Sequence, residues 1–173
     1  MIPAWVDGVL APVEKMEVHL RGLRHKAVSV FVMDGRRVLL QQRAMGKYHT
    51  PGLWANTCCT HPLWDEPAEV CALRRLRQEL GITGLAADWR EQVEYRASVG
   101  RGMTEHEVVD IFVAQADESL RVQPDPAEVM AVKWVDLAEL TAQAQRRPFD
   151  FTPWLRIYLA EHRDLIFGTI AAQ

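Results

Sequence analysis

The sequence has few cysteines, no long apolar run and no surplus of basic residues, and each absence excludes a class of protein. Three cysteines among 173 residues cannot form a disulfide framework, so we expect free thiols in a reducing cytoplasm. No apolar run reaches membrane-spanning length, and residues 1–18 lack the basic start and apolar stretch of a signal peptide. A net charge of -3 gives no general attraction to nucleic acid or anionic lipid. We therefore expect neither as a partner, and a few local basic residues must bind any small anion.

The chain also lacks a tract of proline, glycine or serine that would divide it into domains, and it contains no internal repeat. Apolar residues make up 49% and charged residues 25%, values that allow a full hydrophobic core. We expect a single domain over residues 1–173, with a core over about residues 15–160.

Secondary-structure patterns are clear in the middle of the chain. Two apolar, β-branched runs, Ala27 to Met33 and Val38 to Gln42, are separated by Asp34-Gly35, which predicts a hairpin. Apolar residues recur at near-helical spacing from Glu66 to Leu80, and Gly81 follows as a terminator. Further strands are predicted over Glu107–Ala114 and Val129–Val135, and further helices over Leu137–Gln145, after a cap at Asp136, and over Trp154–His162, after Thr152-Pro153. This order predicts an α+β fold, a mixed β-sheet sandwich flanked by helices.

The segment from Asn56 to Pro62 is rich in turn-forming residues and contains a cysteine thiol, which is a soft nucleophile, two residues before the imidazole of His61. Adjacent residues of an extended chain face opposite ways, so only Cys59 of the two neighbouring thiols can readily face the same cavity as His61. We expect Cys59 to be the functional thiol and interpret Cys58 and Cys71 as small core side chains.

Residue types that bind metals lie on both sides of this segment. Glu105 and Glu107 are two residues apart at the start of a predicted strand, so both carboxylates would point to one face. Together with His19, His25 and His61 they supply nitrogen and oxygen ligands for a divalent ion such as Mn²⁺, Mg²⁺, Zn²⁺ or Fe²⁺. Each residue taken alone also fits a solvent-exposed acid or a surface histidine.

The helix sequence from Arg74 to Ile82 resembles the Nudix box, which ordinarily reads Arg-Glu-x-x-Glu-Glu-x-Gly and uses its glutamates to collect Mg²⁺ for pyrophosphate hydrolysis. Arg75 and Gln78 replace two of the three acids, and only Glu79 remains. The resemblance therefore implies a Nudix-like fold that carries different chemistry. Arg75 and Glu79 also fit an ordinary i, i+4 ion pair on a helix surface.

From about Lys15 to Trp154 the sequence resembles type I isopentenyl diphosphate isomerase, a branch of the Nudix superfamily. The motifs that carry the resemblance occur in order along the chain: Arg43-Ala44 and Lys47, Pro51 to Trp54, Asn56 to Pro62, Arg74-Arg75, Glu79 to Gly81, Tyr95 to Ala97, Glu105 to Glu107, and Phe151 to Trp154. The resemblance implies the interconversion of isopentenyl and dimethylallyl diphosphate by a 1,3-allylic proton shift through a carbocation. The substrate would be a small diphosphate, and no organic cofactor would be needed.

The resemblance also implies a role for each matching residue. Cys59 and Glu107 would be the acid and base, and Tyr95 would assist Glu107. An aromatic face such as that of Trp154 is suited to supporting the cation. A second ion, Mg²⁺, would join the diphosphate to Glu79 and to the backbone carbonyl of Cys59. The first divalent ion, Mn²⁺, Mg²⁺ or Zn²⁺, would bind His19, His25, His61, Glu105 and Glu107, and the diphosphate would contact Lys15, Arg43, Lys47 and Arg75.

Two other functions stay open on the sequence alone. A Nudix pyrophosphohydrolase would release phosphate, but it would prefer the intact acidic box. A zinc-stabilised binding module would hold Cys58, Cys59 and His61 in a closed tetrahedral site, although adjacent cysteines match the usual spaced pair poorly. The sequence does not predict the oligomeric state, the identity of the metal, or a role for residues 1–14 and the segment after Trp154.

Overall fold

The computed structural model describes residues 1–117 and 119–168. That part of the chain forms a mixed β-sheet with helices on both sides. The strands are β1 (Ile2–Val6), β2 (Val9–Val13), β3 (His25–Asp34), β4 (Arg37–Arg43), β5 (Trp54–Ala55), β6 (Cys58–Thr60), β7 (Asp88–Gly100), β8 (Met103–Gln115) and β9 (Val129–Asp136). The helices are α1 (Lys15–Arg21), α2 (Ala68–Leu80), α3 (Leu137–Arg146), α4 (Pro153–Glu161) and α5 (Arg163–Phe167), with a short 3-10 turn at Pro148–Asp150.

Strand β3 lies at the centre of the sheet and pairs with four other strands. β8 runs parallel to it from the pairing of His25 with Glu107 to that of Met33 with Gln115. Along its other edge, β3 pairs in turn with β1, β6 and β4, and all three run antiparallel to it. Every residue of β3 between positions 27 and 33 is buried, as its apolar, β-branched sequence predicts for a strand covered on both faces.

Alternate residues of β3 enter two separate cores. Val28, Val30 and Val32 pack with the apolar face of α2. Ala27 and Phe31 point to the opposite face and pack with α3, α4 and α5. The sheet is therefore the middle layer between two sets of helices, which confirms the predicted α+β sandwich with mixed strands.

Most predicted elements are observed with small shifts. The β3–β4 hairpin forms, but its two-residue loop is Gly35-Arg36, one position later than predicted. Helix α2 begins at Ala68 rather than Glu66 and ends at Leu80. The next residue, Gly81, caps it with a φ of 66°, which is easily reached only by a residue without a side chain. Asp136 caps α3 as predicted, because its Oδ1 accepts a hydrogen bond of 2.8 Å from the amide of Ala138.

Several of the described elements were not predicted from the sequence, namely β1, β2, α1, β5, β6, β7 and α5. The first 13 residues contain the hairpin β1–β2, whose turn is Asp7-Gly8, with φ of 50° and 82°. Asp-Gly is a strong hairpin signal, so the sequence did carry this information. Strand β7 was also missed, although Val93, Tyr95 and Val99 follow its period of two and are buried.

The N-terminal hairpin supports the helix that follows it. Ile2, Ala4 and Val13 form a small core with Val18 of α1. β1 also pairs with the start of β3, where Ala4 faces His25. The hairpin thus anchors α1 against the sheet. No helix within residues 1–117 and 119–168 is both long and apolar enough to cross a bilayer.

Leu76 tests the packing of α2 against the sheet. It is 1% exposed and lies in the core that α2 shares with β3. We expect Leu76→Ala to lower the free energy of unfolding by about 2–5 kcal/mol, because the change leaves a cavity. Leu73, on the same helix, is 36% exposed, so Leu73→Ala is a matched control that should lose less than half as much. Chemical denaturation followed by circular dichroism measures both, and equal losses would contradict this packing.

Candidate active site

Two carboxylates on β8 form the centre of the site. Glu105 and Glu107 lie inside the strand and are 2% and 1% exposed, which rules out a pair of solvent-facing acids. The residue between them, His106, faces the other side of the sheet, where its Nε2 lies 3.1 Å from Glu94 Oε1. The predicted common face of the two carboxylates is confirmed.

Three imidazoles from different elements converge on these carboxylates. His19 comes from α1, His25 begins β3, and His61 follows β6. The Nε2 atoms of His19 and His25 lie 3.1 Å and 3.3 Å from Glu105 Oε2. The Nε2 atom of His61 lies 3.0 Å from Glu107 Oε1 and 3.2 Å from Nε2 of His25. All five predicted ligands are therefore brought together.

Backbone carbonyls fix the orientation of two of the rings. Nδ1 of His19 lies 2.6 Å from the carbonyl oxygen of Lys15, and Nδ1 of His25 lies 2.8 Å from that of Leu23. A carbonyl oxygen can only accept, so each Nδ1 carries the proton and donates it. In the neutral ring, Nε2 then presents its lone pair to the cluster. This arrangement of a second ring nitrogen bound outside the site is typical of histidines that bind metals.

The cluster keeps its carboxylates ionised. Burial alone would raise the pKa of Glu105, but the imidazoles of His19, His25 and His49 lower it well below its ordinary value. The pKa of Glu107 is also lowered, because His25 and His61 outweigh both burial and the charge of Glu105. In turn, the carboxylates outweigh the effect of burial on His25 and raise its pKa to about 10. Burial lowers the pKa of His61 to about 3.

The donor set fits a metal ion. Ligand atoms of His19, His25, His61 and Glu105 all lie within 4.8 Å of one another. Although two imidazole nitrogens are near it, the buried Glu105 Oε2 receives no hydrogen bond from any described residue. Glu107 completes the set, with Oε1 3.6 Å from Nε2 of His25. Imidazole nitrogens and carboxylate oxygens that converge in this way are the ligands of a divalent cation, so this buried group can hold a metal.

A further imidazole, His49, was not predicted. It lies in the loop after β4, is 3% exposed, and its Nε2 is 2.8 Å from Glu105 Oε1. Its Nδ1 is 3.0 Å from the hydroxyl of Thr50 and 3.5 Å from the guanidinium of Arg43. His49 therefore faces one oxygen of Glu105 while the other faces His19 and His25. No periodic pattern marks this loop residue, so the sequence carried no signal for it.

The two adjacent thiols face opposite sides of the sheet, as predicted. Cys58 is fully buried in the core beneath α2, whereas Cys59 is partly exposed and borders the cavity that Glu107 also lines. Burial raises the pKa of the Cys59 thiol well above its ordinary value, and the charge of Glu107 acts in the same direction. Because Cys58 points away, the two thiols cannot share a closed zinc site with His61. Cys71 is buried beside Cys58, as expected for a core side chain.

Both predicted aromatic residues lie at the site: Tyr95 contacts Glu107, and Trp154 lines the cavity. Tyr95 lies directly opposite Glu107 in the β7–β8 pairing, and its hydroxyl donates a 2.6 Å hydrogen bond to Glu107 Oε2. Burial raises the pKa of Tyr95 well above its ordinary value, so the phenol stays a donor. Trp154, the second residue of α4, lines the same cavity and donates from Nε1 to Asn56 Oδ1 at 3.1 Å.

The four predicted basic residues line this cavity as well. Lys15 starts α1, Arg43 ends β4, Lys47 lies in the following loop, and Arg75 is on α2. Lys47 pairs with Glu128, a residue that was not predicted and that also lies 3.5 Å from the guanidinium of Arg75. Four cations around one small cavity favour an anionic ligand.

Glu79 lies outside the lining of the cavity, as do the predicted residues His19, His25 and Tyr95. It is 3% exposed, and both its carboxylate oxygens are engaged within the protein. Gln41 donates to Oε2 at 2.9 Å, and Arg75 donates to Oε1 at 2.5 Å. The i, i+4 ion pair considered from the sequence is therefore present, and it connects Glu79 to the cavity through Arg75.

Comparison with known proteins gives the family. A model described as the NUDIX domain matches residues 23–155. The isopentenyl-diphosphate Delta-isomerase of Dinoroseobacter shibae is 67% identical over 171 residues, covering 99% of this chain and 97% of that protein. The chain belongs to the isopentenyl-diphosphate Delta-isomerase family. Proteins of the same name from Cereibacter sphaeroides and Rhodobacter capsulatus are 66% and 60% identical, over 98% and 99% of this chain and 96% and 98% of their own lengths.

Solved structures support the fold of this isopentenyl-diphosphate Delta-isomerase family member. The MutT NUDIX hydrolase from Burkholderia pseudomallei has a TM-score of 0.62 at 24% identity, over 79% of this chain and 95% of that chain. The MutT protein from Methanosarcina mazei has a TM-score of 0.62 at 16% identity, over 79% of this chain and 90% of that chain. At these identities the likeness shows the NUDIX fold alone. The high identity to the named isopentenyl-diphosphate Delta-isomerases confirms the resemblance to type I isopentenyl diphosphate isomerase.

Metal content tests the buried cluster. We expect His61→Ala to lower the bound divalent metal, because it removes an inward-facing nitrogen ligand. His106→Ala is the matched control, since His106 lies on β8 between the two carboxylates but faces away from them. Both proteins are loaded with Mn²⁺, dialysed, and analysed by mass spectrometry of the metal. Wild-type occupancy in His61→Ala would remove His61 from the metal site.

Proposed function

We propose that the chain interconverts isopentenyl and dimethylallyl diphosphate by proton transfer, with Cys59 and Glu107 as the two transferring groups. The observation that carries the proposal is that a thiol and a buried carboxylate border the same cavity as four basic side chains. High identity to proteins named isopentenyl-diphosphate Delta-isomerase supports the same reaction. Proton transfer and diphosphate binding are what a 1,3-allylic shift in this substrate needs.

Sheet geometry supports the pairing of Cys59 with Glu107. Ser29 of β3 faces Cys59 of β6, and His25 of β3 faces Glu107 of β8. Because His25 and Ser29 are four residues apart on one strand, their side chains share a face of the sheet. Cys59 and Glu107 thus project to the same side from strands on opposite edges of β3. An alkene bound between them would receive a proton from one group and lose a proton to the other.

Glu107 is well prepared for proton transfer. An unactivated alkene is a very weak base, so its protonation requires a strong acid held in place and a site without bulk water. The Tyr95 hydroxyl holds Oε2, and the His61 ring lies beside Oε1. Glu107 is 1% exposed, which limits competition by water. In the reverse direction the same carboxylate would accept the proton, so Glu107 and Cys59 exchange roles.

The basic residues would bind the diphosphate at the mouth of the cavity. The chain as a whole has a net charge of -3 and does not attract anions. The positive charge at the cavity comes from four local side chains, Lys15, Arg43, Lys47 and Arg75. The cavity has a volume of about 20 Å³, which is roughly the space of one water molecule. Substrate binding must therefore widen it. The indole of Trp154 borders the space where the positive charge would develop, and an aromatic face stabilises a cation.

His19, His25, His61, Glu105 and Glu107 would hold one divalent ion, for which Mn²⁺, Mg²⁺ and Zn²⁺ are the candidates. When bound, it would make the Glu107 carboxyl more acidic and hold it rigidly. Glu79, which accepts a hydrogen bond from Arg75, and the Cys59 carbonyl would bind Mg²⁺ together with the diphosphate. We further infer one domain over residues 1–173 that works in the cytoplasm without an organic cofactor; free thiols at Cys58, Cys59 and Cys71 support a reducing compartment.

Variants of the adjacent cysteines separate chemistry from packing. We expect Cys59→Ala to abolish isomerisation while the protein stays folded, because it removes one of the two proton-transferring groups. Cys58→Ala is the matched control and should keep most of the activity, with a packing defect of at most a few kcal/mol. Isomerase assays and thermal unfolding measure both variants. Equal and severe loss of activity in two folded variants would exclude the assignment of Cys59.

Deuterium from the solvent tests the reaction class. Turnover of isopentenyl diphosphate in D₂O should introduce deuterium into the methyl group formed at the alkene terminus, and the diphosphate should stay intact. NMR of the product and a phosphate assay follow both events. A pyrophosphohydrolase would instead release phosphate and leave the carbon-bound hydrogens unchanged. Unlabelled product, or phosphate released in step with substrate loss, would contradict the proposal.

A further inference from the structure

We propose that Ser29 and Tyr158 form a buried hydroxyl relay that positions the Cys59 sulfur for proton transfer. The Ser29 hydroxyl donates a hydrogen bond of 3.3 Å to Cys59 Sγ. On its other side, Ser29 Oγ lies 3.1 Å from the hydroxyl of Tyr158. Neither residue was identified from the sequence, and neither lines the cavity. Both are therefore positioning residues that act through Cys59.

The direction of the relay follows from counting protons. A serine hydroxyl has one proton, and Ser29 donates it to the sulfur. The Ser29 oxygen must then accept from Tyr158, whose phenol keeps its proton because burial raises its pKa well above the ordinary value. The order is Tyr158 to Ser29 to Cys59. Both hydroxyl protons then have an acceptor, and the last acceptor is the sulfur.

The fold holds all three groups in place. Ser29 lies directly opposite Cys59 in the β3–β6 pairing, so the two side chains share a face of the sheet. Tyr158 reaches them from α4 and is fully buried. Its ring is held edge-on by the rings of Phe31 and Tyr95, each at 6.0 Å between centroids.

Packing alone does not account for two hydroxyls in this core. Ser29 and Tyr158 are both 0% exposed, and burying an unpaired hydroxyl is costly. Within residues 1–117 and 119–168, the hydroxyls of Ser29 and Tyr158 bond only to one another and to the sulfur. Alanine and phenylalanine would fill the same space without needing partners. The hydroxyls therefore require an acceptor, and the acceptor present is the proposed proton-transfer group.

The expected consequence is a change in rate rather than in binding. A cysteine side chain has three staggered orientations, and the hydrogen bond from Ser29 favours the one observed. The Cys59 side chain is not among the side chains proposed to bind the diphosphate, so its misplacement should lower kcat and leave KM nearly unchanged. This inference depends on the proposed role of Cys59 in isomerisation.

Three variants test the relay. We expect Ser29→Ala and Tyr158→Phe to lower kcat, Ser29→Ala by about 10-fold to 100-fold, with KM within about 2-fold of wild type. Ser29→Thr keeps the hydroxyl and should restore most of the rate. Phe31→Leu is the packing control: it disturbs the contact with Tyr158 without removing a hydroxyl, so it should lower Tm while kcat stays near wild type. If kcat followed Tm across all these variants, the role would be structural and the proposal would be wrong.

A spectroscopic measurement gives an independent readout. The infrared difference spectrum between the wild type and Cys59→Ala isolates the S–H stretching band of Cys59. That band should shift in Ser29→Ala and, less strongly, in Tyr158→Phe, but not in Phe31→Leu. An unchanged band in Ser29→Ala would overturn the relay. The isomerase activity of the wild type separates the relay hypothesis from the proposed function. If only the relay is wrong, the wild type isomerises the substrate and Ser29→Ala is equally fast. If the proposed function is wrong, the wild type itself has no isomerase activity.

Discussion

The site depends on the burial of two carboxylates side by side on one strand. Glu105 and Glu107 share a face of β8 with almost no exposure, and ionised groups in that position are unstable without positive partners or a metal. The neighbouring strands supply some of the groups that stabilise these carboxylates, since His25 of β3 and Tyr95 of β7 lie directly opposite Glu107. The N-terminal hairpin contributes indirectly, because it anchors α1, which carries His19. The peripheral elements are therefore part of the site.

The central strand β3 connects this cluster to the thiol of Cys59. One face of β3 carries His25 beside Glu105 and Glu107 and, four residues further along the strand, Ser29 beside Cys59. The opposite face packs on α2, the helix that matches the Nudix box. There Glu79 is engaged with Gln41 and Arg75. The NUDIX fold thus keeps its helix, while the groups suited to proton transfer lie on the other face of the sheet.

Local patterns predicted much of this arrangement. The two-residue period of a strand places Glu105 and Glu107 on one face and Cys58 and Cys59 on opposite faces. The side of the sheet on which each of these side chains lies could therefore be predicted from the sequence. The hairpin at Asp7-Gly8 was equally readable and was overlooked. Other residues could not be found this way, because their roles come from contacts between distant parts of the chain and no periodicity marks them. These are His49 beside Glu105, Glu128 beside Lys47, and the pair Ser29 and Tyr158.

Anomalous diffraction from crystals grown with Zn²⁺ would test most directly whether the buried cluster is a metal site. We predict one strong anomalous peak in contact with Nε2 of His19, His25 and His61, at the roughly 2.0–2.1 Å typical of zinc and imidazole nitrogen. Carboxylate oxygens of Glu105 and Glu107 should complete the coordination. No peak among these side chains, with the protein otherwise folded as described, would contradict the account.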